Sequence, residues 1–460
     1  MNITIKDILE ATGGRLIRGR GDTAVRHISL DSRKMSGDDI FVPIIGEKTD
    51  GHRFIGGAFE LGAVAAFTSE HDERSAAEID QETHAWIRVD DTVAALQALG
   101  SWLRGRFTIP FVGVTGSVGK TSTREMIVCA LSSQKKVTAT AGNSNSQVGV
   151  PVTLSLMDPE ADVAVMELGM SMPGEMSRIA AVGRPTMAVM TNIGVSHIEQ
   201  LGSRENILKE KLHIADHIAP GGILLVNGDD SLLRRVKAAA SGEKDALPFK
   251  VRDDLRVLSY GFGDDCDYRR SEYSFSLRVP GRHNELNALA AIAVCDLLGV
   301  DTSAAADALS AFTGTERRLE FVKLNGFTVI DDSYNASPDS MKAALQVLAD
   351  TDCTGRRIAV LADMLELGPD SPRYHREVGE YAATLGIDAV YTVGTLIENA
   401  SAPIEAAGIP VYHYGSNAAL ARDLVWGLGY GDTVLLKGSN GMHLGEILQE
   451  LKPLRLDDLP

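Results

Sequence analysis

Cysteine is scarce: the 460-residue chain carries 4, and no two of Cys129, Cys266, Cys295 and Cys353 stand close together. There is no Cys-x-x-Cys pair and no zinc-ligand spacing, so neither a thiol redox motif nor a disulfide framework is expected, as befits a reducing compartment. Aromatic residues are equally sparse at 5%, whereas glycine reaches 45 residues. That bias suits tight turns and close backbone approach in α/β layers better than a β-sandwich. No apolar run approaches the ~18 residues that cross a membrane. Residues 1–14 carry charges throughout and have no apolar core, so they do not read as a signal peptide. A basic excess is missing as well: 45 Lys and Arg face 62 Asp and Glu, a formal net charge of −17. Such a surface repels nucleic acid and anionic lipid, and a phosphorylated substrate would need a locally basic, donor-rich pocket. The expectation is a soluble cytoplasmic protein without nucleic-acid or membrane partners.

What is present is length and alternation. The chain is several times the ~100–150 residues of one domain. Residues 1–90 alternate short apolar strands, such as 64–68 and 86–89, with helical stretches. Residues 91–312 open on a helical pattern at 92–104 and an apolar run at 108–114, then carry strand-like runs at 163–166, 187–190 and 223–226. Residues 260–279 read as a less regular β-rich insertion, followed by Ala-rich helices at 284–298 and 303–312. Residues 313–460 restart the alternation. Strands separated by helix-length segments give βαβ units and parallel sheets. The expected fold class is α/β in three domains.

The apolar run ending at Val114 meets Thr115-Gly116-Ser117-Val118-Gly119-Lys120-Thr121-Ser122, and a helical pattern follows. Glycines let backbone N–H groups curl around an anion, and the helix N-terminus adds its dipole. Lys120 can reach the β- and γ-phosphates, and the Thr121 hydroxyl can ligate Mg²⁺. The longer Gly-x-x-x-x-Gly-Lys-Thr pattern would need glycine at Val114; the glycines stand at 113, 116 and 119. Placement between a strand and a helix makes nucleotide binding the reading.

Ligands of open α/β sheets bind at the carboxyl ends of strands. There, run 163–166 delivers Glu167, a carboxylate suited to Mg²⁺, and run 187–190 leads to His197. A lone loop histidine is ordinarily unremarkable, and Lys209 and Lys211 on the next helix are by default a solvated basic face.

These motifs together resemble the Mur ligases, ATP-dependent amide-forming enzymes that assemble the peptidoglycan stem peptide. The resemblance runs through all three blocks. It implies a UDP-binding N-terminal α/β domain, a central phosphate-loop ATPase domain with a parallel sheet, and a Rossmann-like C-terminal domain that closes on ATP. Residues 115–121 match the family's short phosphate loop. Glu167 and His197 match its metal ligands, with Thr121 as a third, and Lys211 falls where the family carries a lysine carbamylated by CO₂, giving a site for two Mg²⁺ ions. Gly281-Arg-His-Asn-Glu-Leu-Asn287 resembles the nucleotide-contacting segment, with Asn287 near the adenine. Arg318, with Asp332 and Tyr334 in the run Asp331-Asp-Ser-Tyr-Asn-Ala-Ser-Pro338, resembles the segment that meets ATP on closure.

Within the family, that last run implies UDP-N-acetylmuramoyl-tripeptide and D-alanyl-D-alanine as substrates; a monomer is expected. Gly142-Asn143-Ser-Asn145-Ser-Gln-Val-Gly-Val-Pro151 resembles the matching substrate loop, with Ser146 replacing a usual Asn. Asp363-Met-Leu-Glu-Leu-Gly368 and His375 agree. In the first block, Asp31-Ser32-Arg33 and Gly46-Glu-Lys48-Thr-Asp50-Gly51-His52 resemble the UDP-sugar site. Lys437-Gly-Ser-Asn440 departs from the pattern, since the family carries Arg at its fourth position and a neutral Asn cannot replace a guanidinium fork. The alternatives are a tripeptide-forming Mur ligase that adds a diamino acid, a folylpolyglutamate synthase-like ligase, and a non-catalytic ATP-binding scaffold.

Overall fold

A computed structural model describes residues 1–80, 84–243 and 245–454. Three larger sheets follow one another along the chain, beside a two-stranded pair of Ile3–Thr4 with Ala24–Val25, so the α/β reading holds in each block. The first is five-stranded in the order Arg15–Arg18, Ala85–Arg88, Ala63–Thr68, Asp39–Phe41, His27–Ser29, parallel except for its first pair. The second is seven-stranded and parallel throughout. Its order is Tyr268–Arg269, Arg256–Gly261, Ile223–Asn227, Met187–Met190, Phe111–Thr115, Val163–Glu167, Val137–Ala139. The third is six-stranded, running Glu320–Lys323, Thr328–Asp332, Thr433–Lys437, Arg357–Ala362, Ala389–Val393, Val411–Tyr414, with only its first pair antiparallel. The last six residues of the third block lie outside the described residues.

Phe111–Thr115 is an interior strand of its sheet and is buried along its length, as expected of a strand covered on both faces. Its neighbours Val163–Glu167 and Met187–Met190 are equally buried. All three therefore end at the same edge and bring Thr115, Glu167 and Thr191 to one place.

The helix Thr92–Arg104 puts Leu96, Leu99 and Leu103 into the core of the first unit. It also presses on the second: a Cβ on Gly100 would lie 2.8 Å from Pro151 Cβ. Arg104 Nε donates to Gly183 O at 2.9 Å. This helix ties the first two units together.

One expectation fails. Residues 260–279 do not form a β-rich insertion; past Gly261 they hold only the two-residue strand Tyr268–Arg269. Tyr268, Tyr273, Phe275 and Leu277 pack instead against the core built on the helix Arg282–Leu297, so their apolar area is satisfied without strand pairing.

Candidate active site

The phosphate loop takes its shape from two glycines. A Cβ on Gly116 would sit 1.9 Å from Thr191 Oγ1, and Gly119 has φ 82°, where side chains are disfavoured. The residues after the next strand clasp the loop: Asn192 O accepts from Ser117 N at 3.0 Å, and Asn192 Oδ1 accepts from Val118 N at 2.9 Å. Thr191 Oγ1 donates to Val118 O at 2.6 Å. Thr115 Oγ1 and Ser117 Oγ are buried and have no hydrogen-bond partner among the described residues. Buried hydroxyls of that kind are costly unless a ligand satisfies them.

The helix Lys120–Leu131 starts at the loop's end. Lys120 Nζ donates to Gly116 O at 2.9 Å, and Lys211 Nζ, fully buried, reaches the same oxygen at 3.0 Å. Lys209 is exposed instead, because residues two apart on the helix Arg204–Leu212 face nearly opposite ways. Burial pushes the Lys120 amine down, opposed by Glu167 and reinforced by Arg318. Burial and then the Lys120 charge push Lys211 well below the ordinary lysine range.

Glu167 is buried at the end of its strand, and each carboxylate oxygen is held. Oε2 accepts from Thr121 Oγ1 at 2.8 Å and from Arg124 Nη1 at 3.2 Å, and Oε1 accepts from Asn145 Nδ2 at 2.7 Å. Arg124 also donates to Gly142 O at 2.7 Å and pairs with Glu125, so it joins the phosphate-loop helix to the loop at 142–146. Its position three residues after Thr121 puts both on one helix face, a spacing that could have revealed it. The Thr121–Glu167 oxygen pair and the orphaned loop hydroxyls fit a hard cation carrying phosphates. Asn143 is exposed and Ser122 lies in the helix's first turn. Asn287 is buried against the phosphate loop: its Oδ1 accepts from Thr123 Oγ1 at 2.9 Å and lies 3.3 Å from where a Cβ on Gly119 would be.

The third unit meets this edge. Arg318 stacks its guanidinium over Tyr334, 4.1 Å from the ring centroid. Asp332 Oδ2 pairs with Lys437 Nζ at 2.7 Å, and its Oδ1 accepts from Leu319 N at 3.2 Å. Burial pushes the Asp332 carboxyl up against the opposing pull of Lys437 and Arg318. His197 does not join Glu167; its Nδ1 stands 2.7 Å from Glu366 Oε2 of the third unit, and holds that carboxyl below its ordinary range. His283 is driven down to about 4 by burial and then by Lys437. His375 braces the loop around Glu366, its Nε2 accepting from Met364 N at 2.9 Å.

The candidates of the first unit lie apart from this edge in the chain and among themselves. Arg33 is exposed and pairs with Asp31, Nε to Oδ1 at 2.9 Å; Ser32 is half-buried beside it, and Lys48 is exposed. His52 is buried with both ring nitrogens engaged, Nδ1 with Asp50 Oδ1 at 2.7 Å and Nε2 with Ser69 N at 3.0 Å. Gly51 packs so close to Ile44 that a Cβ would lie 2.7 Å from its nitrogen. Asp50, Gly51 and His52 thus shape their loop from within, and the exposed Arg33 and Lys48 are the groups that face solvent.

Three family descriptions match the chain: "Mur ligase family, catalytic domain" over residues 24–101, "Mur ligase middle domain" over 114–295, and "Mur ligase, glutamate ligase domain" over 317–440. The UDP-N-acetylmuramoyl-tripeptide–D-alanyl-D-alanine ligase of Bacillus subtilis (strain 168) is 36% identical over 457 residues, covering 97% of this chain and 98% of that protein. The protein of the same name from Escherichia coli (strain K12) is 32% identical over 461 residues, covering 98% and 99%. Among solved structures, MurF from Acinetobacter baumannii superposes with a TM-score of 0.86 at 27% identity, covering 99% of both chains. MurF ligase from Thermotoga maritima in complex with ADP gives 0.78 at 25% identity, covering 93% of this chain and 97% of that one.

Proposed function

The chain belongs to the Mur ligase family, and we propose that it joins D-alanyl-D-alanine to UDP-N-acetylmuramoyl-tripeptide at the expense of ATP, in peptidoglycan precursor synthesis. The observation that carries this reading is likeness over the whole length, through all three units, to ligases named for that reaction. The site supplies chemistry to match.

The terminal carboxylate of the tripeptide attacks the γ-phosphorus of ATP in line; a P–O bond forms, the bond to the bridging oxygen breaks, and ADP leaves. The amine of D-alanyl-D-alanine then attacks the acyl carbon, an amide forms, the amine loses a proton and phosphate departs. Lys120 faces the charge that develops on the transferring phosphoryl group, and preorganised charge of this kind is commonly the largest contribution to such steps. Thr121 and Glu167 would hold Mg²⁺, with His197 and Lys211 serving a second ion. When bound, Mg²⁺ neutralises phosphate oxygens and orients them for displacement. Arg124 and Asn145 keep the Glu167 carboxylate in place, which supports its role as a fixed ligand. Arg318 and Tyr334 bring the third unit to the nucleotide, and its docking excludes water that would hydrolyse the acyl phosphate.

Lys211 carries a further reading. An amine with a depressed pKa is free to add to CO₂, losing one proton as the N–C bond forms, and the carbamate that results is an anionic oxygen ligand in place of a buried cation. For the first unit, Ser32, Arg33 and Lys48 offer hydroxyl, guanidinium and ammonium donors to a diphosphate, while Asn143 and Asn145 meet the peptide. Every group named stands on one chain, which supports reading the monomer as the unit of function. Among the described residues no helix is long and apolar enough to cross a membrane; a reaction that draws on ATP and a UDP-linked precursor fits the cytoplasm.

An ¹⁸O label in the tripeptide's terminal carboxylate tests the reaction. Ligation through an acyl phosphate carries one labelled oxygen into the released phosphate, alongside a product heavier than the tripeptide by D-alanyl-D-alanine less water. Unlabelled phosphate, or no ligated product, refutes it.

A further inference from the structure

We propose that Gly194 and Val195 are positioning residues for the phosphate loop: seated against the third unit, they hold Thr191 and Asn192 on the loop, so that docking of the third unit tightens nucleotide binding. The inference rests on the ATP-dependent ligase reading above. One short segment, following the strand Met187–Met190, touches both units. At its near end Asn192 accepts from Ser117 N at 3.0 Å through its backbone oxygen and from Val118 N at 2.9 Å through Oδ1. Val118 O in turn accepts from Thr191 Oγ1 at 2.6 Å and from Asn192 Nδ2 at 3.0 Å. These bonds set the turn just before Gly119. There the helix Lys120–Leu131 opens, with first N–H groups that lack intrahelical partners and suit an anion.

The far end of the segment belongs to the third unit. Val195 is 9% exposed and lies in an apolar cluster whose other buried members all fall between Leu319 and Leu435; Ile198 packs on the same cluster. Gly194 stands between the phosphate loop and the third unit: a Cβ there would lie 3.4 Å from Ser117 Cβ and 2.6 Å from Asp339 Oδ2. Asp339 is in the first turn of the helix Pro338–Asp350. A side chain at 194 would wedge the units apart, so the glycine permits the approach.

Ile193 makes the segment a lever instead of a loose link. Its side chain is fully buried in the core of the second unit. Its N donates to Asp230 Oδ2 at 3.0 Å, and its O accepts from Arg204 Nε at 3.0 Å. Asn192 and Val195 lie on either side of that fixed point, three residues and at most about 11 Å apart. The apolar contacts of Val195 therefore restrict Asn192, and a loop already ordered loses less conformational entropy when a phosphate arrives. The plain competing account is that Ile193 alone fixes the clasp and Val195 is ordinary packing. Trimming Val195 would then change stability and leave nucleotide affinity as it was.

ADP binding to the full-length protein in the presence of Mg²⁺, measured by titration calorimetry, separates these accounts. Val195→Ala is expected to weaken ADP by about 5-fold or more, the lower end of ordinary coupling between sites, and Val195→Ile, which keeps the apolar contact, to retain it. In an Asn192→Ala background, Val195→Ala should cost much less than it does alone, as for residues acting as one unit. Should Val195→Ala fold poorly, as its thermal melt would show, Gly194→Ala asks the same question from the next residue. Its methyl group meets Asp339, ADP weakens, and Asp339→Ala in the same chain restores binding. Wild-type ADP affinity in a folded Val195→Ala, a loss that simply adds to that of Asn192→Ala, or a Gly194→Ala loss that Asp339→Ala leaves unrepaired overturns the proposal. So does a wild type that binds no ADP. The ligase reading fails separately: the wild type would bind ADP and make no ligated product.

Discussion

Lys120 and Lys211 donate to one and the same acceptor, the carbonyl oxygen of Gly116, at 2.9 and 3.0 Å. They arrive from different helices, and the second is fully buried. Lys120 and the buried Lys211 amine converge on one carbonyl, which concentrates nitrogen donors at one point inside a chain of net charge −17. The acidic shell and the anionic substrates are reconciled here, because the field a phosphate meets is set by the cleft.

The two lysines should fail differently when removed. Lys120→Ala is expected to lower kcat by roughly 10²–10³-fold, the usual loss when a preorganised donor to a developing charge is deleted. Lys211→Ala should lose activity that acetate or formate partly restores, because a small carboxylate can stand where a carbamate stood. Steady-state rates with and without added anion check this. Wild-type activity in either variant, or a Lys211→Ala enzyme indifferent to every carboxylate, contradicts the roles.

Asp332 and Lys437 are a buried pair on adjacent strands of the third sheet. Lys437 also donates to Asn335 O at 2.7 Å, so it pins the turn that leads into the helix Pro338–Asp350. Lys437→Met leaves an uncompensated carboxylate indoors and should cost about 3–5 kcal/mol of stability. Because burial already pushes Asp332 up, the variant should escape part of that cost by protonating as pH falls. Urea unfolding at two pH values measures both effects; a variant as stable as wild type refutes them.

His283 gives the fold a pH dependence of definite sign. Burial, then Lys437, holds it near pKa about 4, against 6.5 for a free histidine. Between those values the unfolded chain binds a proton that the folded one refuses, so stability rises with pH across that window and is lost as pH falls through it. His283→Gln should flatten the slope of unfolding midpoints against pH in that range. An unchanged slope would show that the ring does not titrate against folding.

The local parts of the site were legible and the long-range parts were not. Glycine, lysine and threonine at fixed spacing between a strand and a helix describe a phosphate loop before any packing is known, and Glu167 follows from its place at a strand end. Arg124 sits on the phosphate-loop helix while its partner Glu167 stands 43 residues on at a strand end, a pairing the sequence does not display. Thr191 and Asn192 clasp the loop through side-chain bonds to its backbone that no spacing encodes. His52 shows the converse: Asp50-Gly-His52 looks like a ligand triplet, yet the ring is spent on Asp50 and Ser69 inside its own loop. Glu366 lies within the run 363–368, and its approach to His197 crosses two units that no local spacing joins. The fold followed alternation faithfully until residues 260–279, where aromatic residues found a helix to pack on instead of a strand to pair with.

The most direct test of the account is phosphate release from ATP measured across a matrix of acceptor and amine substrates with the full-length protein. Release that requires both UDP-N-acetylmuramoyl-tripeptide and D-alanyl-D-alanine, and that fails with either alone, is the predicted result. Release with the dipeptide precursor and a diamino acid, release with a folate and glutamate, or ATP binding without release in any combination would contradict it.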